Sequence, residues 1–177
     1  MINLNKLKIA IIGMGYVGLP LSIAFSKKFS TIGYDINIER IEKLRKNIDK
    51  NKENYNFKNK NLLFTNNKKN LKESNFFIIT VPTPLKKNRQ PDLRSIIKAT
   101  EVVSTFIKRE QIVVYESTVY PGATEEICIP LIEKISGMRV NKDFFVGYSP
   151  ERINPGDKKH TLKNTVKITS GSNLKSS

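Results

Sequence analysis

The sequence predicts an α/β fold of the Rossmann type, a doubly wound, mainly parallel sheet with helices on both faces. Short runs rich in Val and Ile alternate with longer amphipathic segments along the chain, which is typical of parallel strands joined by crossover helices. The first run ends in a glycine-rich turn, and polar turns follow several later runs. Open sheets of this class bind their ligands at such strand ends.

Hydrophobic periodicity predicts the individual elements. Continuous apolar runs indicate buried strands, and apolar residues at helical spacing indicate helices. Strands are expected at residues 8–12, 31–34, 62–65, 76–81, 112–115, 144–148 and 166–169. Helices are expected at 16–28, 37–47, 92–107 and 123–135. Asp92 is the expected N-cap of the third helix, and Pro130 is expected to kink or split the fourth.

Composition narrows the class of protein. The 177 residues contain no apolar stretch near the roughly 20 needed to cross a membrane, and the N-terminus lacks signal-peptide features. A single cysteine, Cys128, rules out an internal disulfide, as suits a reducing compartment. We therefore expect a soluble cytoplasmic protein without a membrane partner. The net charge of +15 comes with Lys and Asn enrichment along the whole chain. No nucleic-acid reading module accompanies it, so a solvated surface is favoured over a nucleic-acid site.

The glycine turn carries the first functional signal. It follows the first strand, opens a helix, and consists of Gly13, Met14, Gly15, Tyr16, Val17 and Gly18. In a dinucleotide fingerprint, Gly13 permits the tight turn, Gly15 lets the backbone approach the pyrophosphate, and Gly18 lets helix and strand pack closely. The alternative is a glycine turn that binds no cofactor.

Asp35, at the end of the second strand, predicts the type of dinucleotide. Its carboxylate suits the ribose hydroxyls and repels a 2′-phosphate, which favours NAD over NADP. Arg40 could stack on adenine or bind a 2′-phosphate, or be a surface helix residue. Two later turns carry the hydroxyls of Thr83, Ser117 and Thr118, and a third carries Glu151 and Arg152. The three hydroxyls could contact a ribose, an amide or a water, or they could only stabilise their turns. Glu151 and Arg152 could supply a base and an anion contact, or they could form a surface ion pair.

These turns, in this order, resemble the UDP-glucose/GDP-mannose dehydrogenase family, particularly its bacterial UDP-N-acetyl-hexosamine 6-dehydrogenases. The motifs that carry the resemblance are GMGYVGLPL, YDIN, TVPTPL, QPDL, YESTVYPGATEE and GYSPERINPGDKKH. The resemblance implies oxidation of the sugar C6 hydroxyl to an acid in two NAD-dependent steps, without release of the aldehyde, for surface-polysaccharide synthesis. It implies NAD contacts from the whole glycine turn and from Asp35, Arg40, Thr83 and Thr118.

The resemblance also implies roles at the third turn. Thr118 helps to position a water, Glu151 does acid/base work, and Arg152 and Ile153 touch the UDP-N-acetyl-hexosamine. Pro155 stands where the glucose-oxidising branch has a second glutamate, which supports the N-acetyl-sugar branch.

The family's nucleophilic cysteine, with its lysine and asparagine partners, lies downstream of the matching segment. Cys128 is instead expected to be a packed helix residue, and His160 a solvated one. Residues 1–177 are thus expected to form the NAD-binding domain of a larger, homodimeric enzyme, inactive without the central helix and sugar-binding domain. The alternatives are a truncated product, a module paired with a separately encoded second half, or another Rossmann dehydrogenase, of hydroxy-acid or 6-phosphogluconate type.

Overall fold

A computed structural model describes residues 4–49, 59–152 and 166–173. Most of the expected loop 49–61 lies outside the described residues, and so does the greater part of the segment after the sixth strand. Ile153, Pro155 and His160 belong to that second group.

Seven strands and four α-helices form the described fold. The strands are β1 (Lys8–Ile12), β2 (Ser30–Tyr34), β3 (Leu62–Thr65), β4 (Phe76–Ile79), β5 (Ile112–Tyr115), β6 (Phe145–Tyr148) and β7 (Ser170–Gly171). The helices are α1 (Gly18–Ser26), α2 (Ile38–Arg45), α3 (Arg94–Phe106) and α4 (Ile129–Ser136). A π-helical turn, Thr124–Cys128, leads into α4, and short 3₁₀ helices occupy Leu4–Lys6 and Lys68–Glu73.

The strands form one sheet in the order β3-β2-β1-β4-β5-β6-β7. All neighbours are parallel except β6 and β7, where Gly147 faces Gly171 in an antiparallel pair. The chain starts in the middle with β1, builds outward to β3, and then crosses to β4 on the other side. This reversal places the carboxyl ends of β1 and β4 side by side, which is where doubly wound folds open a crevice for a ligand.

Alternate residues of the strands face opposite cores. Ile9 and Ile11 of β1 pack with residues of α1 and α2, whereas Ala10 and Ile12 pack with residues of α3 and α4. Because side chains of a strand point alternately to its two faces, an uninterrupted apolar run is needed when both faces are covered. The prediction of a Rossmann-type fold with helices on both faces is confirmed.

The structure corrects several predicted boundaries. The expected strand 166–169 is wrong, because the final strand is only Ser170–Gly171, and Val166 is 80% exposed. Strand β4 ends at Ile79, two residues earlier than expected, and the Thr80 hydroxyl beyond it donates to the carbonyl of Gly13. The expected helix 123–135 is divided into the π-helical turn and α4, and Pro130 stands in the first turn of α4, where a missing N–H costs little.

Side-chain hydrogen bonds lie at the start of both α2 and α3, but only in α2 does the N-cap residue supply one. The side chain of Asn37 accepts a hydrogen bond from the N–H of Arg40 at 3.0 Å, which satisfies one of the free donors of the first turn. The Asp92 carboxylate similarly accepts from the N–H of Arg94 at 3.1 Å. The prediction of Asp92 as the N-cap of α3 is wrong by one residue, because α3 begins at Arg94 and Leu93 occupies the N-cap position without a side-chain cap.

Candidate functional site: the carboxyl edge of the sheet

The three glycines of the first turn have three different environments. Gly13 has a φ of +100°, a conformation that L side chains rarely adopt. A Cβ added to Gly18 would lie 1.9 Å from the carbonyl oxygen of Gly13, so helix α1 and the turn approach too closely for any side chain. At Gly15 an added Cβ would meet nothing within 4 Å. The backbone at Gly15 is therefore open to a ligand, while Gly13 and Gly18 shape the turn.

The side chains between the glycines divide into buried and exposed ones. Met14 and Val17 are 1% and 8% exposed and belong to the core between the sheet and helices α1 and α2. Gly33 of β2 leaves the room for Met14, since an added Cβ there would lie 2.6 Å from the Met14 sulfur. Tyr16 is 45% exposed. Any contact that Met14 or Val17 makes with a ligand is therefore restricted to main-chain atoms.

Asp35 and Arg40 both contact Met14 of the glycine turn. One carboxylate oxygen of Asp35 accepts the N–H of Met14 at 2.8 Å, and the other accepts the N–H of Asn37 at 2.9 Å. The guanidinium of Arg40 donates from Nε to the Met14 carbonyl at 2.9 Å and from Nη1 to Asp49 at 2.7 Å. Arg40 is thus a buried residue in contact with the turn, and the interpretation as a surface helix residue is wrong.

The turns after β4 and β5 are joined by two side-chain hydrogen bonds. The hydroxyl of Thr83 donates to the carbonyl of Thr118, and the hydroxyl of Ser117 donates to the carbonyl of Val81 at 2.7 Å. Each turn therefore supplies one hydroxyl donor and one carbonyl acceptor. Thr83 and Thr118 are therefore in direct contact, and the side chain of Thr118 is exposed.

The ends of β5 and β6 bring two carboxylates to one lysine. Lys167 Nζ lies 2.6 Å from Glu116 Oε2 and 3.7 Å from Glu151 Oε2. The side chains of Glu116 and Glu151 are 7% and 4% exposed, and that of Lys167 is 21% exposed. Two buried carboxylates with a shared cation are an arrangement that can hold or move a proton. We call Glu116, Lys167 and Glu151 the carboxylate–lysine cluster.

Burial shifts the pKa of one carboxyl group in this cluster. The pKa of Glu116 is raised above its ordinary value of 4.5, mainly by loss of solvation and also by the charge of Glu151, while Lys167 opposes the shift. The N–H of Arg152 donates to Glu151 Oε1 at 2.7 Å, and the Arg152 side chain is exposed. Glu151 is therefore a buried carboxylate beside a lysine, so a simple surface ion pair with Arg152 does not describe it.

Sequence reasoning missed Glu116, Lys167 and Asp49. Glu116 stands directly after a buried strand, in the turn that already supplied Ser117 and Thr118, so its position at a strand end was a usable signal. Lys167 and Asp49 have no such signal. Both lie among many Lys and Asn residues, and their partners are remote along the chain or on another element.

Cys128 packs as the sequence predicts. It is 1% exposed in the core beside α3, and burial raises the pKa of its thiol, which opposes formation of the reactive thiolate. Its polar neighbours are Thr100 and Tyr115, whose hydroxyls lie 3.0 Å apart.

The described residues include no candidate metal site and no membrane-spanning helix. Neither a group of three His, Cys, Asp or Glu side chains placed to hold a metal ion nor a helix suited to crossing a membrane occurs in residues 4–49, 59–152 and 166–173.

The chain is similar in sequence to known bacterial proteins. The UDP-N-acetyl-D-glucosamine 6-dehydrogenase of Salmonella typhi is 54% identical over 97% of this chain, and Protein CapL of Staphylococcus aureus is 53% identical over 94%. The chain spans about two fifths of the length of these relatives, 41% and 40% respectively.

A solved structure and a family model agree with those relatives. The NDP-N-acetyl-D-galactosaminuronic acid dehydrogenase of Methanosarcina mazei superposes with a TM-score of 0.86 at 26% identity, covering 96% of this chain and 40% of that one. The model of the family's NAD binding domain matches residues 7–177. The chain therefore belongs to the UDP-glucose/GDP-mannose dehydrogenase family, and it corresponds to the domain of that family that binds NAD.

Proposed function

We propose that residues 1–177 are the NAD-binding domain of a UDP-N-acetyl-hexosamine 6-dehydrogenase that serves surface-polysaccharide synthesis. The observation that carries the proposal is the glycine turn, where the backbone at Gly15 is open and a carboxylate, Asp35, stands at the end of the adjacent strand β2. The Salmonella typhi relative, a UDP-N-acetyl-D-glucosamine 6-dehydrogenase that is 54% identical, supports the N-acetyl-sugar substrate.

The residues present fit NAD. The open main chain of Gly15, just before α1, would face the pyrophosphate, because the positive end of the helix dipole favours anions there. Asp35 would accept the ribose hydroxyls, and Thr83 and Thr118 would contact the cofactor from the joined turns of β4 and β5. Arg40 would contribute through Met14, the residue that it holds. When bound, NAD accepts a hydride from the sugar carbon in each of the two oxidations.

The carboxylate–lysine cluster would perform the proton chemistry. Glu151 is the acid/base group, and Thr118 helps to hold a water. Arg152, and Ile153 beside it in the chain, would touch the sugar nucleotide. The cluster suits this work because its two carboxylates are buried around one cation, so a proton can be held there while little water competes.

A second candidate is an NAD-binding module that needs a separate second half for turnover. The buried thiol of Cys128, with its raised pKa, favours this candidate, because covalent oxidation of an aldehyde requires an accessible thiolate. We place the catalytic cysteine and lysine of the active, homodimeric and cytoplasmic enzyme outside residues 1–177.

Two measurements on the chain test the proposal. Calorimetric titration should show that the chain binds NAD, and a coupled assay with UDP-N-acetyl-glucosamine and UDP-N-acetyl-galactosamine should show no NADH production. Absence of NAD binding would contradict the proposed function. Appreciable NADH production by the chain alone would contradict the second-half requirement, and turnover that appears on adding a polypeptide with the family's cysteine would support it.

A further inference from the structure

Met14, in the middle of the glycine turn, is held by charged side chains at both of its peptide groups. Its N–H donates to Asp35 at 2.8 Å, and its carbonyl accepts from Arg40 Nε at 2.9 Å. Because Met14 itself is 1% exposed, its main chain cannot shift without disturbing the core. The path of the turn therefore depends on where the Arg40 guanidinium lies.

Asp49 fixes that guanidinium. Its Oδ1 lies 2.7 Å from Arg40 Nη1, and the side chains of Arg40 and Asp49 are only 10% and 2% exposed. The buried Oδ2 of Asp49 has no hydrogen-bond partner among the described residues. The contact with Arg40 therefore dominates the environment of this carboxylate, and a buried pair of this kind is strongly coupled because each charge compensates the other.

The pairing bears on the choice between NAD and NADP. A 2′-phosphate next to Asp35 requires a cation with free donors, and Arg40 contacts the same residue, Met14, as Asp35 does. In this structure two of its donors are directed to Met14 and Asp49, and the Asp49 carboxylate balances its charge. We propose that Asp49 is a positioning residue that holds Arg40 against the glycine turn and thereby sets the preference for NAD over NADP. This inference rests on the proposed binding of the adenosine ribose at Asp35.

The test is the pair of dissociation constants for NAD and NADP, measured by calorimetry on the 177-residue chain and on Asp49→Asn. Loss of the carboxylate charge leaves the Arg40 charge uncompensated, and the one remaining amide oxygen holds the guanidinium less strongly than the carboxylate does. We expect NAD binding to weaken about fivefold, because the turn is less well held, and the ratio of the two constants to shift toward NADP by about tenfold. A weakening that is equal for both cofactors would reduce Asp49 to a structural residue and overturn the proposal, as would unchanged constants.

Two further variants isolate the guanidinium. The double variant Arg40→Met/Asp49→Asn should lose the shift toward NADP, since the cation that accepts the phosphate is gone. Glu39→Gln is the matched control, because Glu39 pairs with Lys43 on the exposed side of the same helix, and it should leave the ratio unchanged. A shift that persists in the double variant, or that appears in the control, would overturn the proposal.

Thermal unfolding of each variant distinguishes lost binding from lost folding. If Asp49→Asn does not fold, the variant Arg40→Met tests the proposal instead. The Asp49 charge then remains without its cation, and NADP binding should weaken further. Improved NADP binding would overturn the proposal. If the unsubstituted chain binds no NAD, the proposed function and this inference both fail. If it binds NAD and the ratio is insensitive to Asp49, only the inference fails.

Discussion

The carboxyl edge of the sheet has two regions that are built on different principles. At β1 and β2 the glycine turn offers main chain, and the charged side chains Asp35 and Arg40 hold that main chain in place. At β5 and β6 the carboxylate–lysine cluster offers the side chains themselves, buried around one ammonium. The first region presents open main chain, and the second presents buried charge.

The difference matters for how each region responds to change. A backbone site fails when an atom is added, because the close approaches leave no room. A buried charge cluster fails when an atom is removed, because the remaining charges lose their compensation. Three substitutions test this contrast and a fourth, before helix α3, provides a carboxylate with the opposite pH dependence; they are given from the largest expected effect to the smallest.

Gly18→Ala should have the largest effect on stability. The new Cβ would lie 1.9 Å from the backbone oxygen of Gly13, so helix α1 and the turn must separate. We expect the free energy of unfolding, measured by urea denaturation, to fall by about 3 kcal/mol. Gly15→Ala is the matched control, since its Cβ meets nothing within 4 Å. It should change stability by less than about 0.5 kcal/mol and still weaken NAD binding. A stable Gly18→Ala would contradict the packing argument.

Lys167→Met tests the cluster by removing its cation. Two buried carboxylates would remain, and we expect a loss of about 2 kcal/mol at neutral pH, below the range for fully buried pairs because Lys167 is 21% exposed. The loss should shrink as the pH is lowered and the buried Glu116 carboxylate, whose pKa is raised, accepts a proton. Exposed Lys98, on α3, provides the control Lys98→Met. Equal stability of the two variants at neutral pH would show that the cluster is not coupled.

Glu116→Gln examines the same cluster by pH. Because burial raises the pKa of Glu116, its contribution to stability is fully present below pH 4.5 and is lost as the pH rises through the folded-state pKa. The Gln variant should lack this loss, so stability plotted against pH should fall less steeply above pH 4.5 than in the unsubstituted chain. Glu101→Gln, at an exposed position of α3, should leave the profile unchanged.

Asp92→Asn should show the opposite dependence and the smallest effect at neutral pH. Hydrogen bonds from Arg94 lower the pKa of Asp92 to about 2, so its contribution is present above pH 3.8 and is lost as the pH falls toward 2. The substitution keeps an acceptor for the Arg94 N–H. The two proteins should therefore converge in acid-induced unfolding followed by circular dichroism, and a difference that grows below pH 3 would refute the assignment.

The two regions also differ in how far the sequence predicts them. The glycine turn and Asp35 are readable because local backbone geometry dictates residue type at fixed spacing, and the apolar runs of β1, β4 and β5 predict the doubly wound sheet for the same reason. Glu116 and Lys167 are 51 positions apart in the chain. No local rule pairs them, and only the packing of 166–173 beside β6 brings them together. The prediction of a strand at 166–169 is wrong for a related reason. Apolar and polar residues alternate there as in a strand, but the apolar side chains are not covered by another element.

The burial of Cys128 has a practical consequence for experiments on this chain. The thiol is 1% exposed in the core that includes residues of α3 and α4, and it is the sole cysteine. A maleimide reagent can therefore modify the native protein only when this core opens, and the labelling rate reports the free energy of that opening. The unmodified chain thus carries its own probe of local unfolding. Any cysteine introduced on the surface would also react selectively, which permits a single fluorescent label without first replacing the native residue.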